Sequence, residues 1–307
     1  MNLHDLDAFL AVAETGSVGA AGRKLNLTQP AVTRRIQNLE RQLETTLLYR
    51  DSKPVRLTAA GETVATAGRQ VRRAVDDLHR ALAADGEPVG PLRLGLAQAI
   101  ADLAPGAPIG AVRRAYPKLT LTLHSGWSEA LLKQVAAGSL DAAAVLLSGG
   151  REPPPGLAGE PIASERICVA AADAVWPKRV RLRDLAAHPW VVNPDGCGYR
   201  RAIQRALQRQ GLPLIVAVEI IGADVQLSAV ADGAGLGLVP ARVLAQNRWR
   251  DRLRPLAVAD FNFDVTIWVV TRPHIGRLEA PVRRFAEGLK AALAPSAGGA
   301  PATAAAV

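Results

Sequence analysis

The sequence is poor in cysteine, histidine and catalytic motifs, and each scarcity argues against a class of protein. Its two cysteines, Cys168 and Cys197, are too few for a disulfide framework, which is typical of a reducing compartment. The five histidines lack the paired spacing of metal ligands, so we expect neither a metal site nor a cofactor. The sequence also lacks a G-x-S-x-G elbow and a Walker loop, so nothing in it indicates an enzyme.

Long apolar runs and a surplus of acid are absent as well. No run approaches the roughly 18–20 apolar residues that span a bilayer, and the first ten residues contain two aspartates and no basic signal-peptide region. We therefore expect a soluble, cytoplasmic protein without a membrane partner. The net charge of +9 favours a polyanionic partner without identifying it. A length of 307 residues suggests about two domains.

The N-terminal residues predict three short helices joined by tight turns. Ser17 is placed to cap the second helix and Thr28 to cap the third, and Pro30 is tolerated in a first helical turn. The third helix has an apolar stripe at helical spacing, formed by Val32, Ile36, Leu39 and Leu43.

The opposite face of the third helix is polar and basic. A helix fits the major groove of DNA, where Gln29 can pair with adenine and Arg34 with guanine. Thr33 and the ring of Pro30 can contact a thymine methyl group. This face therefore predicts a helix that reads base edges.

Basic residues are concentrated in and after this helix. Residues 23–56 contain eight Lys or Arg and three acids, whereas residues 57–90 contain four and five. Two β-prone runs around 51–54 predict a small hairpin, or wing. Arg35, Arg50 and Arg56 suit contacts with phosphates, which fix the register on DNA without reading its sequence.

One long helix is predicted from Thr58 to about Ala84. Val64, Val71 and Leu78 recur every seven residues, which is the spacing of a helix–helix seam. We interpret the seam as a dimerisation surface for a second copy of the chain. An amphipathic helix packed on its own domain is the alternative.

Beyond the turn-rich residues 86–91, strand-like and helical segments alternate over about 200 residues. This alternation predicts an α/β fold with parallel sheets and helices on both faces. The tail 295–307 is rich in Ala, Gly, Pro and Ser, and we expect it to be disordered.

The first 60 residues closely resemble the winged helix–turn–helix of LysR-type transcriptional regulators. The matching segments include FLAVAETGS (9–17), LNLTQPAVTRRI (25–36) and LTAAG (57–61). Thr33 and Tyr49 are conservative departures, since the family often has Ser and Phe there. The resemblance implies groove-reading positions at Gln29, Pro30, Thr33 and Arg34, and DNA-backbone positions at Ser17, Arg50 and Thr58.

The resemblance also implies an organisation for the whole chain. The expected parts are a DNA-binding domain with an all-α winged helix–turn–helix (1–58), a linker and dimerisation helix (59–88) and an effector-binding domain (89–294). The effector domain would be two-lobed and periplasmic-binding-protein-like. Lobe I would comprise about 91–162 and 266–294 and lobe II about 163–265, with crossover strands near Pro161–Ser164 and Phe263–Ile267.

Three loops should line the cleft between the lobes, where strand ends and helix N-termini converge. Helix N-termini favour anions, and Arg200 and Arg201 add positive charge, so we expect a small anionic metabolite. The predicted effector contacts are Ala97, Gln98, Ala99, Trp127, Ser128, Asp195, Gly196, Cys197, Gly198 and Tyr199.

The predicted function is therefore that of a bacterial DNA-binding regulator whose promoter binding an effector modulates. Its expected partners are double-stranded DNA, the effector and a second copy of the chain; the resemblance adds a tetramer and RNA polymerase. One alternative is a cytosolic small-ligand-binding protein or enzyme whose N-terminal helices only dimerise.

A second alternative is a thiol redox-sensing regulator. Cys197 is placed at a helix N-terminus near arginines, which should lower its pKa, and some family members sense peroxide through a cysteine in this region. We favour a structural or ligand-contacting thiol, because Cys168 is the one possible partner within the chain and lies in an apolar strand-like run.

Overall fold

The computed structural model describes residues 2–49, 54–82, 87–104, 106–172, 176–177 and 179–294. The contacts divide the chain into two compact units, Met1–Ala83 and Ala84–Val307. The predictions for Arg50, for the tip of the wing and for the tail 295–307 lie outside the described residues.

The N-terminal unit has the predicted order of helices and hairpin. Leu48 of β1 is opposite Leu57 of β2 in an antiparallel pair, which confirms the predicted hairpin. The elements are α1 (Leu3–Thr15), α2 (Val18–Leu25), α3 (Gln29–Gln42), β1 (Leu48–Tyr49), β2 (Arg56–Leu57) and α4 (Ala59–Leu82).

A single apolar core holds this unit together. Phe9 of α1 is fully buried against the buried face of α3, which presents Val32, Ile36 and Leu39. Leu43, predicted to extend that face, lies at the end of α3 and is exposed. The polar face of α3 is consequently turned away from the core.

The long helix α4 has two different halves. Gly68 lies against α1, so closely that a Cβ at this position would approach Leu6 Cδ1 to 2.6 Å. Val64 also packs against the N-terminal core. Val71 and Leu78, further along, are exposed. The first half therefore fits the alternative of packing on its own unit, and among the side chains of α4 that the structure describes the large exposed apolar ones, Val71 and Leu78, lie in the second half.

The C-terminal unit alternates strands and helices as predicted, with additional short elements. Its first half contains β3 (Gly90–Ala97), α5 (Gln98–Leu103), α6 (Ala107–Ala115), β4 (Leu119–Gly126), α7 (Ser128–Ala136), β5 (Ala142–Ser148) and β6 (Ala158–Ala172). Its second half contains α8 (Leu182–Leu185), β7 (Trp190–Val192), α9 (Gly198–Gln208), β8 (Val216–Glu219), α10 (Ala223–Ala231), β9 (Leu236–Pro240), α11 (Ala241–Gln246), β10 (Leu253–Leu256), β11 (Phe263–Thr271) and α12 (Glu279–Ala292). Short 3-10 helices span Arg250–Arg252 and Gly276–Leu278.

The described strands of this unit form one nine-stranded mixed sheet in the order β4-β3-β5-β11-β6-β9-β7-β8, with β10 on β6. β3 is parallel to β4 and β5, and β7 is parallel to β8 and β9. The predicted parallel pairing is found within each lobe but not at the centre, where β6 and β11 are antiparallel to each other. These two strands contain the predicted crossover segments.

β6 is also longer than the sequence indicated. Proline-rich residues up to Pro161 read as a loop, yet β6 is continuous from Ala158. Pro161 lies opposite Trp268, at a register shift in the pairing with β11. A proline is tolerated at such an irregularity because its missing N–H costs no regular ladder bond.

The sheet carries separate apolar cores in its two halves. Lobe I is built around Leu92, Val145 and Phe285, and in lobe II α9 and α10 pack on different clusters, around Trp190 and around Leu227. Among the described residues, none of the helices combines the length and apolarity needed to traverse a bilayer.

Candidate functional site

The first two turns of α3 present a continuous exposed polar face. Gln29, Pro30, Thr33 and Arg34 are all exposed, while Arg35 is partly buried. Thr33 donates its hydroxyl to the Gln29 carbonyl (3.1 Å). The capping side chain expected of Thr28 makes no capping hydrogen bond. The start of α3 is therefore open to an external partner.

The turn between α2 and α3 is set by backbone contacts. Asn26 ends α2 in a left-handed conformation (φ 55°), which asparagine tolerates better than most residues. The Leu27 N–H donates to the Gly22 carbonyl (2.8 Å). A Cβ on Gly22 would lie 2.7 Å from the Leu27 oxygen, so only glycine permits this approach. These contacts fix the direction in which α3 leaves α2.

Two of the predicted DNA-backbone residues act as helix caps. Ser17 accepts from the Ala20 N–H at the start of α2 (3.4 Å) and remains exposed. Thr58 donates its hydroxyl to the Thr46 carbonyl (2.7 Å) and accepts from the Gly61 N–H (2.9 Å). The single hydroxyl proton of Thr58 is thus used within the chain, and a phosphate would have to displace Thr46 to receive it. Arg56 is exposed on β2.

A cavity of about 380 Å³ lies between the lobes of the C-terminal unit; we call it the cleft cavity. It is at the carboxyl ends of the parallel strands, where such sheets commonly bind ligands. Lobe I contributes Ala97, Gln98, Ala99, Asp102, Trp127, Ser128, Glu129, Leu132, Leu146, Leu147, Ser148 and Arg151. Lobe II and β11 contribute Asn193, Gly196, Cys197, Gly198, Tyr199, Arg201, Ala202, Arg205, Ala223, Gln226, Leu238, Val239, Pro240, Phe263 and Val265.

The two lobes touch across the cleft cavity beside α7 and α9. Arg201 of α9 pairs with Glu129 of α7 and also donates to the Gly196 carbonyl (3.4 Å). Trp127 packs on Gly196, where a Cβ would come within 2.7 Å of the indole Cδ1. Gly196 also has a φ of +99°, so its lack of a side chain serves both the turn and the contact.

A second bridge lies beside α10. The Ala223 N–H, at the start of α10, donates to Asp102 Oδ2 (3.3 Å). Asp102 is exposed as a whole residue, but its carboxyl group is partly withdrawn from solvent. This desolvation raises its pKa, and the neighbouring charge of Asp224 raises it further. By contrast, the hydrogen bond from Arg201 lowers the pKa of Glu129.

Comparison with known families identifies both units. Residues 3–62 match the model of the bacterial regulatory helix-turn-helix proteins of the lysR family, and residues 85–294 match the LysR substrate binding domain. The chain belongs to the LysR family of bacterial transcriptional regulators. It is accordingly a DNA-binding regulator with an effector-binding domain rather than an enzyme, which removes the enzyme alternative.

Individual LysR-family relatives match most of the chain. The transcriptional regulator GltR of Bacillus subtilis (strain 168) is 28% identical over 270 residues, covering 88% of this chain and 90% of GltR. CzcR of Bacillus anthracis is 30% identical over 240 residues, covering 78% and 80%.

Solved structures show the same fold at lower identity. A full-length OxyR variant from Pseudomonas aeruginosa is 18% identical with a TM-score of 0.70, covering 94% of this chain and 98% of its own. Full-length CbnR in complex with its target DNA is 24% identical with a TM-score of 0.62, covering 95% and 100%.

Within this LysR-family fold, the predicted cleft residues lie together with one exception. All of them line the cleft cavity except Asp195, whose role as an effector contact stays a prediction. Its side chain is exposed and pairs with Arg200 (3.2 Å), which in turn pairs with Glu219 (2.5 Å). Arg200 does not line the cavity, to which Arg151, Arg201 and Arg205 contribute positive charge.

Several lining residues, among them Asp102, were not predicted. The predicted contacts Gln98 and Ala99 belong to the helix α5 and not to a loop. One turn later the same helix places Asp102 at the cavity. The spacing of Cys197, Arg201 and Arg205 by four residues was the available signal for a cavity-facing side of α9.

The structure also corrects the expectation for Cys197. Burial raises its pKa, and this outweighs the backbone N–H groups of Arg200 and Tyr199, which favour the thiolate. The thiol belongs to the apolar core of lobe II. The predicted activation at a helix N-terminus is therefore wrong, because desolvation dominates.

Proposed function

We propose that this regulator binds a promoter or operator as a dimer through α3 and the wing, and that a small anionic effector in the cleft cavity modulates that binding. The observation that carries the proposal is the exposed face of α3 formed by Gln29, Thr33 and Arg34. Glutamine and arginine are side chains able to form bidentate contacts with adenine and guanine.

The surroundings of α3 support a role for it in the major groove. Its opposite side is buried in the core, so the exposed residues are held on a rigid element. Arg35, partly buried on α3, and Arg56, exposed on β2, are the phosphate contacts that we propose beside it. Arg50, in the same predicted role, lies outside the described residues.

The cleft cavity supports an effector that is an acid. Arg151, Arg201 and Arg205 line it, and α9 begins at its wall, so positive charge and helix N–H groups favour an anion. The cavity volume, about 380 Å³, suits a small metabolite. We propose Ala97 to Ala99, Trp127, Ser128 and Gly196 to Tyr199 as its contacts.

Assembly follows from the exposed half of α4. We propose that Val71 and Leu78 pair with a second copy, and that pairing of effector domains yields a tetramer that contacts RNA polymerase in the cytoplasm. The redox alternative is disfavoured because a raised pKa makes Cys197 a weak nucleophile.

Footprinting on DNA selected from a random library tests the proposal. We expect two dyad-related half-sites whose centres are one helical turn, about 10 base pairs, or a multiple of it apart. Protection of a single site without a dyad, or no sequence preference at all, would contradict it.

A further inference from the structure

The cleft cavity has opposite charge on its two sides. Beside α9, Arg151, Arg201 and Arg205 line the cavity together with one carboxylate, Glu129, which pairs with Arg201. Beside α10, Asp102 lines the cavity, while nearby Asp224 does not line it and is paired with Arg248. Because these groups lie beside different helices, α9 and α10, which pack on separate core clusters of lobe II, we assign them to different ends of the cavity.

At the basic end, the guanidinium groups outnumber the carboxylates that pair with them. Arg201 is engaged by Glu129 and by the Gly196 carbonyl. In the part of the chain that the structure describes, the guanidinium groups of Arg151 and Arg205 form no ion pair or hydrogen bond. Both side chains can therefore receive an acid group without first losing a partner.

The acidic end has an unused acceptor. Asp102 Oδ2 accepts from the Ala223 N–H at 3.3 Å, which is a long hydrogen bond. No donor among the described residues reaches Asp102 Oδ1. A carboxylate can accept several hydrogen bonds, so Asp102 can receive a donor from a ligand while keeping its bond to α10.

The wall between the ends is mainly apolar but contains one unsatisfied polar atom. Trp127, Phe263 and Val265 line it. Tyr199 is 93% buried, and its hydroxyl has no hydrogen-bond partner among the described residues. A buried hydroxyl without a partner is costly, and Tyr199 is one of the residues that line the cavity.

We propose that the cleft cavity binds a dipolar acid. Its carboxylate lies at Arg151 and Arg205, an apolar chain lies along Trp127 and Phe263, and a hydrogen-bond donor, ammonium or hydroxyl, lies at Asp102. This inference rests on the proposal that the cavity binds an effector, and it adds the requirement for a donor at the second end.

The titration of the two carboxyl groups agrees with this polarity. The pKa of Glu129 is lowered, chiefly by its hydrogen bond from Arg201, and the pKa of Asp102 is raised, chiefly by desolvation. The cavity therefore favours negative charge at one end and disfavours it at the other. A simple monoacid would leave the second end unsatisfied.

Titration calorimetry with four matched ligands tests the proposal: hexanoate, 6-hydroxyhexanoate, 6-aminohexanoate and hexylamine. They differ only in their terminal groups. We expect 6-aminohexanoate or 6-hydroxyhexanoate to bind full-length protein about tenfold or more tightly than hexanoate, and hexylamine not to bind. If hexanoate binds as tightly as both, or if none of the four binds, the proposal is overturned.

Two variants locate the ends. Asp102→Asn should remove the preference for 6-aminohexanoate over hexanoate, whereas Asp251→Asn, the same change at an exposed site that does not line the cavity, should retain it. Arg151→Gln combined with Arg205→Gln should weaken the binding of all three acids by a similar factor. Retention of the full preference in Asp102→Asn would refute the assignment of the donor end.

DNA binding keeps this test separate from the proposed function. If hexanoate binds best and still changes the gel-shift midpoint, effector control stands and only the dipolar assignment fails. If 6-aminohexanoate or 6-hydroxyhexanoate binds as expected but leaves the midpoint unchanged, the dipolar site stands and effector control fails.

Discussion

The two thiols illustrate how burial overrides local sequence context. Cys168 hydrogen-bonds the Val239 carbonyl (3.6 Å), and its pKa is raised to about 11. The pKa of Cys197 is raised as well, although it precedes a helix that begins near two arginines. Neither thiol is therefore a thiolate to any useful extent at neutral pH.

Thiol reactivity can be measured in a Cys168→Ser variant, where Cys197 alone reports. We expect slow reaction with a disulfide reagent at about pH 8, rising as the pH increases, because a raised pKa removes thiolate at any pH below it. Unfolding in guanidinium should restore the rate of an ordinary cysteine. Fast reaction of the folded protein would instead revive the redox-sensing alternative.

The Arg201–Glu129 pair and the Asp102–Ala223 contact join residues that are far apart in sequence. The exposed positions of Gln29 and Arg34 could be predicted, because both lie within one helix whose apolar stripe is a local signal in the sequence. The role of Asp102 in the cavity could not be predicted, since its hydrogen-bond partner is at the start of α10, more than a hundred residues later. The pairing of Asp195 with Arg200 could not be predicted either, since Glu219 on another strand also pairs with Arg200.

At the scale of elements, the α2–α3 turn depends on the missing side chain of Gly22. We expect Gly22→Ala to lower the free energy of unfolding of the N-terminal unit by about 1–3 kcal/mol, because the new Cβ overlaps the Leu27 carbonyl. DNA affinity should fall too, since α3 must shift.

Gly19→Ala is the matched control for this prediction. A Cβ there would meet only side-chain atoms of Gln29 and Ser17 at 3.9 Å. Removing a helical glycine should then stabilise the unit by about 0.5–1 kcal/mol. Chemical denaturation of both variants measures the difference, and equal stability of the two would refute the packing argument.

The second half of α4 carries the proposed dimer contact. We expect Leu78→Glu to shift the protein towards monomer in sedimentation velocity, because it places a charge in an apolar seam. Thr66→Glu, on another face of the same helix, should leave the dimer intact. An unchanged dimer in Leu78→Glu would contradict the proposed seam. It would indicate that α4 packs on its own unit along its whole length, as Val64 in its first half already does.

At the scale of the whole molecule, the regular elements were more predictable than the sheet that unites them. Each strand has a local pattern, but the joining of both lobes into one sheet depends on β6 and β11 pairing across about 100 residues. No local pattern encodes this pairing. The sequence around Pro161 disfavours a strand there, because the irregular pairing that accommodates the proline depends on Trp268 of the opposite strand.

The central claim is that α3 reads DNA. The most direct measurement is the Kd for a selected operator, and for an unrelated duplex, in Gln29→Ala, Arg34→Ala and the control Arg283→Ala, at fixed salt. Arg283 is exposed on α12 in the other unit, and its replacement by Ala removes the same charge as Arg34→Ala.

We expect each α3 variant to lose about 1–3 kcal/mol of operator binding, roughly 5- to 150-fold in Kd, with a smaller loss on the unrelated duplex. Arg283→Ala should bind both duplexes as the parent protein does. If the α3 variants retained full operator affinity, or lost it equally on both duplexes, α3 would not be the element that reads the sequence.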